Sequence, residues 1–508
     1  MKYLPLLFKI IIVSLMVTIP SGSFFFPQYI ANKIATNTIS DEEVSFGIEN
    51  QIEEAIEYRF LSVDDESNEW FYLAKILGKT DKDTAFKLAT IYHIEGDITQ
   101  ATQWYKQASE LEHKKALTEL IDLYIEEGHL LAAKKLLLPL KSKQDALHKL
   151  VDISVTLGDE ILLNELIVLL KQTNNKDLIN QLKRYGIIDD NSFYPTHSKI
   201  RVRGECRNSI QLLATNLSNL HKLDMLVENI KDHPLTNFIC FNTPRYISST
   251  QLNCEYEQDS AIKCDEALWA SFIPEIDARY LGLMLNEGGA NVDNGILYLD
   301  SNDDTQVFIH ELSHLLGFVD EYPLSAKHKV CQKPQESKFS HNIAVLKTHY
   351  EGDKKDVVAL LEKQIPWFGF IDKATPIIHK DGGKWVIGTP NFYLSNKSKL
   401  IGLFKSETCD KNKVQAFMPT ASKTNLRYYE ERFITLYTDL LKKNPDEFLM
   451  PSYHYNVAKT LFKNNKESLG LEWLNKALKR ELAKDANLNN SEHTNREIRY
   501  NKIKNGEY

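Results

Sequence analysis

Between Gln306 and Tyr322 the chain reads QVFIHELSHLLGFVDEY, in which His310 and His314 flank Glu311 and are followed by Gly317 and Asp320. On an α-helix four residues advance about 400° and rise about 6 Å, so the two imidazoles leave one face, one turn apart. Two ring nitrogens in that arrangement can bind one metal ion at about 2.0 to 2.1 Å. Glu311 lies about 100° further round, where its carboxylate can reach a metal-activated water without ligating the metal. The chemistry these residue types can do is hydrolysis, with zinc as Lewis acid and Glu311 as general base.

A catalytic zinc takes three protein ligands and leaves one position open. Gly317 suits a left-handed helix stop, after which the chain can reverse and bring Asp320 beneath the metal. This gives a compact HExxHxxGxxD set, with Glu321 as the competing carboxylate. A third ligand on a later helix is the other arrangement, and Glu362 in DVVALLEKQ is its nearest candidate. His328, His341, His349 and His379 read as loop or core histidines, because none sits in a second motif. Val307, Phe308, Leu312, Leu315 and Phe318 supply the apolar faces by which the helix would embed in a core. Asp303 and Asp304 precede it, where negative charge favours a helix N-terminus.

The surrounding chain has 508 residues, enough for about three domains. Apolar residues make up 43% and charged ones 26%, an ordinary globular balance. With 61 basic and 69 acidic residues and no basic block interleaved with aromatics, nucleic-acid binding is excluded as an expectation. Residues 1–23 carry Lys2 and Lys9, an apolar core from Ile10 to Ile19 and then small residues, the pattern of a cleaved secretory signal peptide. That core is too short for a membrane anchor. The expectation is an exported protein, periplasmic or secreted, with no stable membrane span after signal cleavage. All six cysteines (Cys206, Cys240, Cys254, Cys264, Cys331 and Cys409) fall around the candidate helix and form no C-x-x-C pair. An even count behind a signal peptide reads as up to three disulfides.

From Asp41 to residue 187 the sequence is helical and repetitive, with Gly96, Gly128 and Gly158 recurring at 32 and 30 residues. The stretch ATQWYKQASELEHKKALTELIDLY resembles Sel1-like repeats, relatives of the TPR, which implies a short solenoid, either a groove that holds a protein partner or a structural spacer packed on the catalytic domain. The polar segment Asp189 to Ser198 reads as a linker. A catalytic domain follows at 199–445, opening with CRNSIQLLATNL as a strand, HKLDMLVENIKD as a helix and NFICFNT as a second strand. A helical hairpin at 446–484 and an Asn-rich tail at 485–508 complete the chain.

The run HELSHLLGFVDEY is similar to the signature of the IgA-peptidase-like metallopeptidases, the peptidase M64 family, within the metzincin group. Members usually have one more residue between the second histidine and the glycine; the glycine-to-aspartate distance is kept here. Looser similarity continues through QIPWFGFID, VIGTPNFY, IGLFKSETC and VQAFMPTAS. The resemblance implies an α+β chain in which the TPR/Sel1-like helical solenoid precedes a metzincin-like zinc peptidase domain, a mixed sheet with an active-site helix. It also implies one catalytic Zn2+ on His310, His314 and Asp320, and a methionine turn beneath the metal at Met418. Where some metzincins place a tyrosine two residues after that methionine, this chain has Thr420. Ile296 to Asp300 would be the antiparallel edge strand that pairs with a peptide substrate. The expected activity is hydrolysis of peptide bonds. Two alternatives stay open: a non-catalytic binding protein with the zinc fold as scaffold, and a zinc hydrolase of a non-peptide amide.

Overall fold

The computed structural model describes residues 25–189, 208–255, 260–271, 273, 276–390, 393, 400–483 and 501. The signal peptide, most of the linker and the tail read from the sequence lie outside them. The chain is α+β and divides into two compact units, Met1–Leu150 and Val151–Tyr508.

The first unit is helical. After a helix at residues 25–35 (α1) come α2 (Asp41–Glu49), α3 (Glu53–Phe60), α4 (Asn68–Leu77), α5 (Lys82–Ile94), α6 (Ile98–Glu110), α7 (Ala116–Glu126) and α8 (Leu130–Leu137). Helix α9 (Gln144–Leu157) crosses the unit boundary, and α10 (Glu160–Gln172) and α11 (Lys176–Arg184) belong to the second unit. Polar caps start these helices: Ser40, Ser67, Asp81 and Asp97 each accept a backbone N–H from the first turn. Gly96, Gly128 and Gly158 stop them at φ of 79°, 70° and 64°, a region that costs a side chain energy and glycine little. Each helix packs on the next in sequence, α5 on α6, α6 on α7 and α7 on α8. Trp70, Leu88, Trp104, Tyr105 and Leu120 form their common core.

In the second unit the sheet is built from three fully buried runs: SIQLLA (β1, Ser209–Ala214), YLGLM (β6, Tyr280–Met284) and ILYL (β8, Ile296–Leu299). Burial at every position is what a parallel strand covered on both faces shows, and Gln211 is accommodated in β1 by donating to the Leu212 and Thr243 carbonyls. The sheet order is β2 (Cys240–Phe241), β1, β6, β8, β7 (Asn291–Asp293), with β3 (Arg245–Tyr246) also paired to β1. All of these pairs are parallel except β7 with β8. The expectation for Ile296 to Asp300 is therefore corrected. Strand β8 is interior, held between β6 and β7, and the antiparallel edge is β7. Helix α12 (Leu217–Asn229) follows β1, as read from the sequence.

Helix α13 (Thr305–Leu315) packs on β7 and β8, and α14 (Lys354–Gln364) lies further on. Beyond α13 the chain makes two small antiparallel sheets. One is β10 (His349–Tyr350), β12 (Lys384–Ile387) and β11 (Ile378–Asp381); the other is β13 (Phe404–Ser406), β14 (Gln415–Met418) and β9 (Ala344–Leu346). Disulfides join Cys331 to Cys409 beside the second sheet, and Cys254 to Cys264 across the hairpin of β4 (Cys254–Glu255) and β5 (Lys263–Cys264). Cys240 is disulfide-bonded as well. Helix α15 (Thr435–Lys443) is followed by the hairpin of α16 (Tyr453–Lys463) and α17 (Glu467–Ala483). That hairpin is part of the core of the second unit. Tyr453, Tyr455, Leu461, Trp473 and Leu474 share one core with Leu281, Ile296 and Tyr298 of the sheet. Each such side chain contributes about 1.5–3 kcal/mol by leaving water.

Candidate metal centre

Helix α13 starts on Asp304, whose carboxylate accepts the N–H groups of Gln306 and Val307 at 2.8 and 3.0 Å. Asp304 is thus the cap its position suggested, and Asp303 instead accepts the backbone N–H of Asp300. The helix ends in the paired bonds of a Schellman motif: Phe318 N–H to Ser313 O at 3.2 Å and Gly317 N–H to His314 O at 3.1 Å. Tyr280 of β6 donates to the Leu315 carbonyl at 2.9 Å, so the sheet also holds the helix end. Gly317 sits at φ 91°, and a Cβ there would stand 2.6 Å from the Phe448 carbonyl oxygen. Gly317→Ala is therefore expected to cost on the order of 1–3 kcal/mol in backbone strain alone, with the clash added, as read by a urea melt.

The turn delivers Asp320 to the histidines. Its Oδ1 is 3.1 Å from His310 Nε2 and 3.1 Å from His314 Nε2, and the two Nε2 atoms are themselves 3.1 Å apart. Ligands at about 2.0–2.1 Å on a tetrahedral ion lie about 3.3 Å from one another, so this triangle is close to zinc size. The remaining nitrogens decide what occupies it. His310 Nδ1 meets the Asn425 carbonyl at 2.8 Å and His314 Nδ1 meets the Phe318 carbonyl at 3.0 Å. A carbonyl only accepts, so each ring carries a proton on Nδ1 and turns Nε2 inward. Two imidazole Nε2 atoms and a carboxylate oxygen then converge. The donor set fits Zn2+, while without a metal a proton shared by His314 and Asp320 satisfies it; backbone carbonyls that orient ligating histidines are the usual outer support of a zinc site.

Electrostatics carry the same stamp. Burial opposes charging His314, yet the Asp320 carboxylate overrides it and pushes His314 up to about 10 in the metal-free protein. Asp320 is held well below the ordinary carboxylate range by the two histidines, against its own burial. Glu311, 4% exposed, is raised by burial and partly drawn back by His314 and His310. A carboxylate kept from full solvation beside the ligands is suited to taking a proton.

His310, His314 and Asp320 form the one metal-ligand group among the described residues. Glu321 is not in it; its carboxylate turns into the core. Neither is Glu362, which is exposed on α14. His328, His349 and His379 are exposed, and His341 is buried between the rings of Phe318 and Phe448 at 5.1 and 5.0 Å. Met418 ends β14 within the apolar cluster around the Cys331–Cys409 disulfide.

Two residues at the centre, Asn425 and Tyr429, had no signal in the sequence, and a third, Tyr322, closes the quoted motif without a role read for it. Asn425 holds His310, as above. Tyr429 sets its ring edge-on to His310 with centroids 4.7 Å apart, 38% exposed, its hydroxyl pushed up to about 12 by burial and by Glu311 and Asp320. The ring of Tyr322 lies parallel to His310 at 6.3 Å, and its hydroxyl is kept neutral by burial and Asp320.

Beneath the turn, His341 donates its backbone N–H to the Gly317 carbonyl, and burial pushes its imidazole down to about 4. The folded protein binds that proton less readily than the unfolded chain, whose value is 6.5. The contribution is complete above the unfolded value and is lost as pH falls from there towards the folded one, by up to about 3 kcal/mol. Asp303, raised to about 6 by burial, acts in the opposite sense over the lower part of this range. Comparing urea midpoints of wild type and His341→Leu at pH 7.5 and pH 5 isolates the histidine; the variant is expected to lose less stability on acidification.

No helix among the described residues is long and apolar enough to cross a membrane. Comparison of the chain with protein-family models and with curated proteins gives no match, so what this centre can do is read from its own atoms.

Proposed function

We propose that the chain is an exported zinc metallopeptidase, similar in its signature to the IgA-peptidase-like group, with His310, His314 and Asp320 as ligands and Glu311 as general base. The observation that carries this is the convergence of two imidazole nitrogens and a carboxylate oxygen at 3.1 Å separations, with a buried carboxylate on the residue next to the first ligand.

Zinc, when bound, supplies the Lewis acidity that makes water acidic near neutral pH and polarises a carbonyl. The protein does the rest. Asn425 and Phe318 keep the Nδ1 protons of the two histidines occupied, so that Nε2 remains the ligand atom in each. Glu311 accepts the proton of the attacking water on a carboxylate oxygen and returns it to the leaving amine nitrogen. Tyr429, half-exposed with its ring edge-on to His310, would offer a phenolic donor to a carbonyl oxygen gaining charge. A peptide would pair along β7, the antiparallel edge of the sheet against which α13 packs, by adding a strand.

Export is supported by the pattern of residues 1–23 and by disulfides that form and persist in oxidising compartments. The helical unit serves as a partner-binding arm in this reading. Leu61, Tyr72, Ile94 and Leu131, which expose between 56% and 86% of their surface, are the apolar side chains such a partner would cover.

The test is an unbiased peptide library read by mass spectrometry, with and without a zinc chelator. Cleavage that the chelator stops and added zinc restores is expected. Cleavage indifferent to chelation contradicts the metal mechanism, and cleavage confined to a muropeptide digest favours the non-peptide amide.

A further inference from the structure

Next to the carboxylate ligand stands a second carboxylate with a different occupation. Glu321 is 1% exposed, and its two oxygens take three hydrogen bonds from three separate parts of the chain. Oε1 accepts from the Tyr437 hydroxyl on α15 and from Asn342 Nδ2 at 3.1 Å. Oε2 accepts from the Thr424 hydroxyl at 2.8 Å.

Each partner leads back to the metal centre. Asn342 also brackets Val319, accepting its N–H at 2.9 Å and donating to its carbonyl at 2.7 Å, so the residue before Asp320 is clamped as well as the one after. The Thr424 hydroxyl accepts the Leu426 N–H at 3.2 Å, and Leu426 in turn accepts the Glu321 N–H at 2.9 Å. Between Thr424 and Leu426 lies Asn425, whose carbonyl orients His310. A closed ring results, running from Asp320 through Glu321 and Thr424 to Asn425, His310 and back to Asp320.

We propose that Glu321 is a positioning residue: its carboxylate locks the loop bearing Asp320 to the loop bearing Asn425 and so sets metal affinity without touching the metal. The inference rests on the metal reading above. The chemistry asks for a carboxylate here because all three partners present donors, and only an acceptor with two oxygens serves them together. An apolar residue would leave a buried hydroxyl, a phenol and one N–H of the Asn342 amide without this acceptor, each at a desolvation cost the loops could escape only by moving apart. The ligand atoms, 3.1 Å from one another, tolerate little such movement.

The test compares wild type, Glu321→Gln, Glu321→Leu and Thr424→Val in the full-length mature protein. Three quantities are measured: zinc affinity by competition with a chromogenic chelator, the visible spectrum of the Co2+ form, and the melting temperature of the metal-stripped protein. Glu321→Leu is expected to bind zinc about 10- to 100-fold more weakly, the range seen when an outer partner of a metal ligand is lost. Its cobalt bands should shift. Glu321→Gln keeps the volume and two of the three acceptor contacts, and should recover most of the affinity. Thr424→Val removes one donor at constant volume, and keeps the proposal testable if Glu321→Leu does not fold; it too should lose zinc affinity. Variants that melt lower when stripped of metal but keep wild-type zinc affinity and cobalt spectrum would show a merely structural role and overturn the proposal. Wild-type protein that takes up neither zinc nor cobalt overturns the metal reading itself, and the two failures are thereby told apart.

Discussion

Glu311→Gln is expected to retain its metal and to lose about 10²–10⁴-fold in peptide hydrolysis, the contribution of a positioned general base. The variant is nearly isosteric, and Glu311 is outside the group of ligand atoms, so the triangle of His310, His314 and Asp320 has no reason to change. What changes is proton chemistry: an amide in place of a buried carboxylate cannot accept the proton of the attacking water. The burial that raises Glu311 works against the charged form and predicts that the neutral amide will not destabilise the fold. Single-turnover cleavage of a library-derived peptide beside metal analysis of the same sample reads both halves. A metal-loaded Glu311→Gln protein that cleaves at the wild-type rate removes Glu311 from the mechanism.

The second large effect is expected from Asp320→Ala, which should abolish activity and weaken zinc by more than the 10- to 100-fold typical of losing an outer partner, since a ligand itself is gone. Two imidazoles on one helix face remain, and neither can move to fill the gap because each is tied to a backbone carbonyl. The loss should also appear as stability. A bound ion at about 100 times its dissociation constant adds about 2.7 kcal/mol to the folded state. Chelator should therefore lower the melting temperature of wild type and leave that of Asp320→Ala unchanged. If both respond alike, the ion sits elsewhere.

The parts of this site that were legible in the sequence are those fixed by local geometry. His310, Glu311, His314, Gly317 and Asp320 occupy eleven consecutive positions, and helix period plus one left-handed stop determine where each side chain goes. The supporting groups are not local. Asn425 meets His310 across 115 residues and Tyr437 meets Glu321 across 116, and no spacing rule spans such a distance. The exchange of β8 for β7 as the edge has a different cause. Strand order is set by which faces are covered, and ILYL, apolar at every position, carried the mark of an interior strand, whereas the short polar NVD carried that of an edge. The C-terminal hairpin was legible as two helices, but where it packs was not. Its amphipathic period matches the repeats, but Trp473 and Tyr453 bury against Leu281 and Tyr298, a choice made by tertiary packing rather than by pattern.

The most direct test of the account is elemental analysis of the mature protein purified without added metal or chelator, followed by zinc titration. One zinc per chain in the wild type is expected, and its loss in His310→Ala, His314→Ala and Asp320→Ala alike, as three ligands of one ion require. Wild-type protein that remains free of zinc after titration, or zinc content indifferent to all three substitutions, would contradict it.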